Sequence, residues 1–234
     1  SISSLCEATG ADVKDVSLAV GTDKRIGKYF LNPGPGFGGS CFKKDILNLT
    51  YICEYYGLHE ESSYWQKVVD INIWQNKRIS ELIVEKLFGT ITGKKITILG
   101  FSFKANTNDV RESPAINICK ELILEGCHLS IYDPKVSCNQ IEDILGKQNN
   151  FNASYQNTLQ DEGSWNLSES IDIAADGSDA IVITTEWNEF QNIDWENVSQ
   201  SLRKPSWVFD TRCIVDVSYL ESLGINVWRV GLGK

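Results

Sequence analysis

One cysteine stands where a glycine-rich run gives way to a helix-forming one: Gly38, Gly39, Ser40, Cys41, Phe42, Lys43, Lys44, Asp45. The glycines let the backbone approach a ligand closely, and a helix start offers unpaired N–H groups and the positive end of the macrodipole to an anionic group. Asp45, four residues on, shares the helix face of Cys41, within reach of a water or a substrate hydroxyl above the sulfur. Two readings fit this local pattern: an activated thiol, or a small buried side chain beside a helix cap.

A second string, Gly34, Pro35, Gly36, Phe37, Gly38, Gly39, has the glycine spacing of a dinucleotide-binding turn. That turn needs a strand before it and a helix after it. No β-branched run precedes Gly34, and Pro33 and Pro35 sit beside and within the string, so it is rejected as a cofactor site.

The net charge of −9 excludes nucleic acid and anionic membrane surfaces as expected partners, but not a small anionic ligand held by a few placed cations. Lys104, Arg111 and Arg212 each follow an apolar strand-like run, where open parallel sheets bind ligands. Seven cysteines without C-x-x-C pairing argue against a disulfide framework or a zinc site, and reduced thiols fit a cytoplasmic protein. No metal is expected. No apolar run approaches the roughly 20 residues of a membrane span. Four Asn-x-Ser/Thr triplets, beginning at Asn48, Asn152, Asn166 and Asn197, read as chance.

The elements that must position these residues follow from periodicity. Residues 1 to about 20 read as one helix, with Leu5, Val13, Val16 and Val20 as core contacts. Gly21 to Ser40 reads as a ligand-wrapping loop. A helix runs from about Cys41 to Tyr56, stopped by Gly57, and a long one from about Glu61 to Phe88, with Val68, Ile71, Ile79, Leu82, Ile83 and Leu87 as its stripe. A boundary near Gly93 divides a helical region, residues 1–92, from a second domain, residues 93–234. Lys95 to Leu99, Leu129 to Tyr132, Ala180 to Thr184, Trp207 to Phe209 and Ile225 to Arg229 read as buried strands, with a helix from Pro114 to Gly126 completing a βαβ unit. The polar stretch from Gly146 to Ser170 reads as an exposed insertion.

The wider wording breaks the tie at Cys41. Arg25, Ile26, Gly27, then Phe30 to Pro33, Gly36 to Phe42, Lys44 and Asp45, closely resemble the active-site segment of UDP-glucose 6-dehydrogenases, in the UDP-glucose/GDP-mannose dehydrogenase family. Gly100, Phe101, Phe103, Lys104, Asn106, Thr107, Asp109 and Arg111 to Pro114 resemble that family's sugar-nucleotide site. Tyr132-Asp133-Pro134, Thr185-Glu186-Trp187 and Phe209, Asp210, Arg212 follow in order.

The resemblance implies an α/β architecture: a helical central dimerisation region with a long connecting helix, then a Rossmann-like parallel-sheet UDP-binding domain. It implies oxidation of UDP-glucose to UDP-glucuronate by two hydride transfers to NAD, with Cys41 as nucleophile and Asp45 assisting the hydrolytic water. Phe30, Phe37 and Phe42 would wall the pocket, and Leu31, Asn32, Pro33, Gly34 and Gly38 would line it with backbone. Phe103, Lys104 and Arg212 would hold the nucleotide, Arg111 would reach NAD, and Arg25 would enter the partner's site in a homodimer. The family's cofactor domain lies upstream of the matching segment, so the chain is expected to be a C-terminal portion, inactive alone. Alternatives are a sugar-nucleotide-binding and dimerisation module without activity, or a dehydrogenase for GDP-mannose or an N-acetylated UDP-sugar. Two departures stand out: Asn32 where animal forms often carry lysine, and Lys43 where proline or glutamine is common.

Overall fold

The computed structural model describes residues 1–148 and 163–233. Residues 1–20, expected as one helix, form two: α1 (Ile2–Thr9) and α2 (Val13–Gly21). Gly10 ends α1 in a left-handed cap at φ 78°, and the Asp12 carboxylate accepts from Lys14 N at 2.8 Å to start α2. The heptad-like spacing runs through this break without sensing it. Val13 is buried and Val16 half-buried, but Leu5 is 59% exposed and Val20 40%.

Helix α3 (Phe42–Tyr55) ends at Gly57, which takes φ 71°. Helix α4 (His59–Lys86) has 28 residues and spans about 42 Å at 1.5 Å per residue. Its stripe is only partly the expected one. Ile79 and Ile83, with Leu87 just beyond its end, are buried against the sheet, whereas Ile71 is exposed and the part of the helix before Ile79 buries Ser62, Val69 and Asn76 instead.

The second half is a doubly wound sheet. Strands β1 (Lys95–Leu99), β2 (His128–Tyr132), β3 (Ser164–Leu167), β4 (Ala180–Ile183), β5 (Trp207–Asp210) and β6 (Asn226–Arg229) are all parallel, in the order β3-β2-β1-β4-β5-β6. Five match the expected runs closely. The sixth, β3, lies in the stretch read as an insertion. Its Ser-Trp-Asn-Leu sequence is polar because it is an edge strand, bonded only to β2, and it sinks just Trp165 into the core. The rest of that expectation, residues 149–162, falls outside the described residues.

Helix α5 (Pro114–Leu124) starts on Ser113, whose hydroxyl accepts from Ala115 N, with proline at its first position. Then come α6 (Cys138–Leu145), α7 (Ile171–Ala175), a 3-10 turn at Asn188–Asn192, α8 (Trp195–Ser201) and α9 (Val217–Ser222). Both sheet faces are covered, which is why the strands are apolar throughout. Ala180 and Val182 face a cluster holding Ile83, Ile118 and Leu122, while Ile181 and Ile183 face one holding Phe190, Val198 and Leu220. The strand order reverses between β1 and β4, so the crevice at the C-terminal ends of β1, β4 and β5 is where such a fold binds ligands.

Candidate active site

Cys41 is the N-cap residue of α3 and is exposed. Its carbonyl accepts from Asp45 N at 2.9 Å, and its Sγ lies 3.7 Å from the Ser40 hydroxyl. Asp45 is exposed one turn along the helix. The ring of Phe42, 56% exposed, meets that of Phe37 edge-on at 4.8 Å.

The loop before the thiol lies directly on the sheet's crevice. A Cβ on Gly38 would stand 2.4 Å from Glu112 O and 3.0 Å from Phe103 Cβ, so only glycine allows this approach. Gly39 N donates to Arg111 O at 2.9 Å, and Lys43 Nζ pairs with Glu112 Oε2 at 2.8 Å. Lys43, a departure from the family wording, is thus engaged by Glu112. Arg111 is exposed and bonded to Asp109, which chiefly holds its guanidinium above the usual range, with the Cys41 sulfur adding to the effect. The same pairing holds the Asp109 carboxyl below its ordinary value.

The crevice floor is organised by a buried carboxylate. Asp133 Oδ2 accepts from Phe101 N at 2.7 Å, Ser102 N at 3.0 Å, Ser102 Oγ at 3.1 Å and Trp187 Nε1 at 3.2 Å. Its Oδ1 accepts from Lys135 N at 2.9 Å and Val136 N at 3.1 Å. This fixes the turn after β1 that carries Phe103 and Lys104, whose Nζ sits 5.2 Å over the Phe103 ring.

Arg212, after β5, donates from Nε to Thr184 O at 2.7 Å and from Nη2 to Phe103 O at 3.3 Å. Because Nε–H is aimed at that carbonyl, the 3.2 Å contact with Glu186 Oε2 is charge pairing rather than an aligned hydrogen bond. Burial pulls the Arg212 pKa down, opposed by Glu186 and Asp210. Burial pushes the Asp210 carboxyl up, against N–H groups of Val215, Arg212 and Ile214.

A groove of about 600 Å³ runs beside this arginine. It gathers Leu31, Asn32, Pro33 and Arg212 from the expected set and adds Lys14 and Ser17 of α2. Gly34 touches the Arg212 guanidinium, where a Cβ would lie 3.3 Å from Nη1. The expected residues therefore fall into two neighbouring groups, one around Arg212 and one around Cys41, Gly38 and Phe103. Two stay outside both. Phe30 projects wholly into solvent at φ 62°, and Arg25, 88% exposed in its side chain, is paired with Asp23.

Three residues escaped sequence reasoning: Asn72, Gln75 and Asn76 of α4 bond to the loop backbone between Gly34 and Phe37. Their one signal was amides at i, i+3 and i+4 interrupting an apolar stripe.

Residues 1–74 match the model of the UDP-glucose/GDP-mannose dehydrogenase family's central domain, and residues 97–217 that of its UDP binding domain. The chain is 46% identical to a UDP-glucose 6-dehydrogenase of Drosophila melanogaster over 99% of its own length and 48% of that protein's. UDP-glucose 6-dehydrogenase 1 of Arabidopsis thaliana is 45% identical, over 98% of this chain and 49% of its own. The chain thus spans about half the length of the curated relatives it matches. Among solved structures, a UDP-glucose dehydrogenase from Pyrobaculum islandicum superposes with a TM-score of 0.77 at 26% identity, over 98% of this chain and 46% of that one. An NDP-N-acetyl-D-galactosaminuronic acid dehydrogenase from Methanosarcina mazei superposes at 0.75 and 20% identity, over 99% and 46%, a likeness of fold alone. With one family model covering more than half of the chain and the other most of the remainder, the chain belongs to the UDP-glucose/GDP-mannose dehydrogenase family.

Proposed function

We propose that the chain supplies the thiol and the nucleotide-binding face of a dehydrogenase that oxidises UDP-glucose to UDP-glucuronate. What supports this reading most is the packing of the Gly34–Cys41 loop on Phe103, Glu112 and Arg212 at the strand-order reversal, which puts the thiol and the basic side chains on one rim. The relatives named for UDP-glucose favour that sugar.

NAD is the proposed oxidant; each molecule would accept one hydride, so two NAD molecules would be consumed per sugar. The described residues do not form a cradle for it: the Gly34–Gly39 string follows no strand, and residues 100–113 separate β1 from α5. Arg111 is proposed as the one contact from this chain. The share these residues carry is the thiol's. Cys41 Sγ, as thiolate, adds to the C6 aldehyde carbon and holds it as a thiohemiacetal, so the intermediate stays on the enzyme. Once that carbon stands at the acid level as a thioester, a water oriented by Asp45 attacks it, the C–S bond breaks and the thiolate leaves. Phe103, Lys104, Arg212 and the backbone of Leu31–Gly34 hold the nucleotide, with Phe30, Phe37, Phe42 and Gly38 around the sugar. Residues 1–92 act as the central, dimer-forming part and residues 93–234 as the UDP-binding part, in a cytoplasmic homodimer.

The test is Cys41→Ser in the full-length protein. NADH production should fall by orders of magnitude while UDP still binds, because serine stays protonated at neutral pH. Near-normal formation of UDP-glucuronate by the variant would overturn the covalent role. Wild-type turnover confined to GDP-mannose or an N-acetylated UDP-sugar would overturn the substrate.

A further inference from the structure

Three amide side chains of α4 take hold of the backbone that leads into Cys41, and we infer that Asn72, Gln75 and Asn76 are positioning residues for its thiol. Asn72 Oδ1 accepts from Phe37 N at 2.8 Å while its Nδ2 donates to Phe37 O at 3.1 Å, a two-point grip like one rung of a sheet. Gln75 Nε2 donates to Gly34 O at 3.2 Å. Asn76 Nδ2 donates to Pro35 O at 3.0 Å and to Asn72 O at 2.9 Å. Three of the four residues from Gly34 to Phe37 are thereby bonded to one face of one helix.

The fit is specific in both directions. Gly36, at φ 138°, lies against the amides, and a Cβ there would be 2.5 Å from Asn76 Nδ2 and 2.7 Å from Asn72 Oδ1. Each amide has its orientation set, since turning Asn72 would face its NH2 to the Phe37 N–H, and turning Asn76 would face its oxygen to two carbonyls. Asn76 is buried, and its Oδ1 has no partner. A buried polar atom left unsatisfied is costly, and an apolar residue at that position would continue the stripe between Val69 and Ile79. The amide is kept for what its two N–H groups hold.

What they hold is the lever to the thiol. Cys41 lies four residues beyond Phe37, with one intervening backbone bond, Gly39 N to Arg111 O. The C-terminal half of α4 is built into the sheet's core through Ile79 and Ile83, so the helix couples the loop to the ligand-binding rim. Removing the grip leaves the nucleotide's contacts on the sheet intact and lets the thiol drift relative to the sugar. A misplacement of about 1 Å can cost on the order of 100-fold in rate.

The inference rests on Cys41 being the nucleophile, and the test separates the two. In the full-length protein, Asn72→Ala and Asn72→Asp are compared with Val69→Ala, which opens a cavity in the same helix and removes none of the hydrogen bonds from the three amides to the loop. For both Asn72 variants kcat should fall about 10- to 100-fold, with the UDP dissociation constant within about threefold of wild type and with protection of Cys41 against iodoacetamide by UDP-glucose diminished. Val69→Ala, at a similar loss of melting temperature, should keep its kcat and its protection. Gln75→Ala, which frees Gly34 O and removes the acceptor of Arg78 Nη1, should show a smaller loss of kcat and of protection and stands in if the Asn72 variants do not fold. Equal kcat losses in the Asn72 and Val69 variants, or Asn72 and Gln75 variants with wild-type kcat and protection, would overturn the positioning role. If wild-type protein does not oxidise UDP-glucose at all, the proposed function fails, and the protection measurement still decides whether the amides set the thiol's place.

Discussion

Asp133→Asn removes one formal charge and almost no volume, yet the structure makes it one of the most damaging exchanges available. The carboxylate accepts six hydrogen bonds, four on Oδ2 and two on Oδ1, the one from the Ser102 hydroxyl being shared with Lys104 O, and among the described residues no basic side chain is paired to it. An asparagine can satisfy the four-donor side with its oxygen, but its NH2 must then face the N–H groups of Lys135 and Val136. Two charge-assisted bonds are lost, and one buried and one part-buried donor are left opposed to a third. At roughly 1.5–3 kcal/mol per bond to a charged group, the loss is about 3–6 kcal/mol. Against a total stability of roughly 5–15 kcal/mol that is about a fifth or more. Urea denaturation followed by tryptophan fluorescence is the assay, since Trp187 itself donates to Asp133. The midpoint should fall with the slope unchanged, and UDP affinity should weaken because the turn presenting Phe103 and Lys104 loosens. A loss below about 1 kcal/mol would refute the reasoning, showing that water or relaxed geometry replaces what the carboxylate supplies.

Gly100→Ala should cost about 2–4 kcal/mol by the same assay, because its Cβ would meet Thr185 Cβ at 2.4 Å at φ 96°, adding overpacking to backbone strain. Gly224→Ala, at φ 75° with open space around it, isolates the strain and should cost about 1 kcal/mol; equal losses would remove the packing argument. Arg25, exposed and paired with Asp23, is predicted to serve a partner subunit's sugar site: full-length Arg25→Ala and Cys41→Ser subunits, each nearly inactive, should regain activity when mixed under conditions of subunit exchange. No recovery despite proven exchange would assign Arg25 to its own subunit or to no catalytic role.

What the sequence disclosed and what it hid divide along a physical line. Buried parallel strands must be apolar on both faces, so five of six strands and the Pro114-to-Gly126 helix were readable from composition and punctuation. The edge strand β3 hid because it has one hydrogen-bonded neighbour and one buried side chain, leaving Ser164 and Asn166 free to be polar. The break between α1 and α2 hid because Leu5, Val13, Val16 and Val20 keep helical spacing across Gly10, and a periodic pattern carries no record of a single left-handed residue. The mistaken core contacts, Leu5 and Val20, follow from the same cause, since the second helix turns its face independently of the first.

The site obeys a different rule. Cys41 and Asp45 stood out as candidates because a cysteine and a carboxylate one turn apart at a helix start are a local pattern, whereas the groups that hold the loop and the turn beside them are distant in sequence and polar for reasons that periodicity ignores. Asn72, Gln75 and Asn76 lie some 35 to 41 residues from the loop atoms they bind. Asp133 lies 31 and 32 residues from the amides of Ser102 and Phe101. Both sets aim hydrogen bonds at backbone from buried or half-buried positions. Polar residues that stand at core positions of an otherwise regular pattern are therefore the sequence's best pointer to the backbone that must be held still, and in this chain they lead to the turn bearing Phe103 and to the loop bearing Cys41.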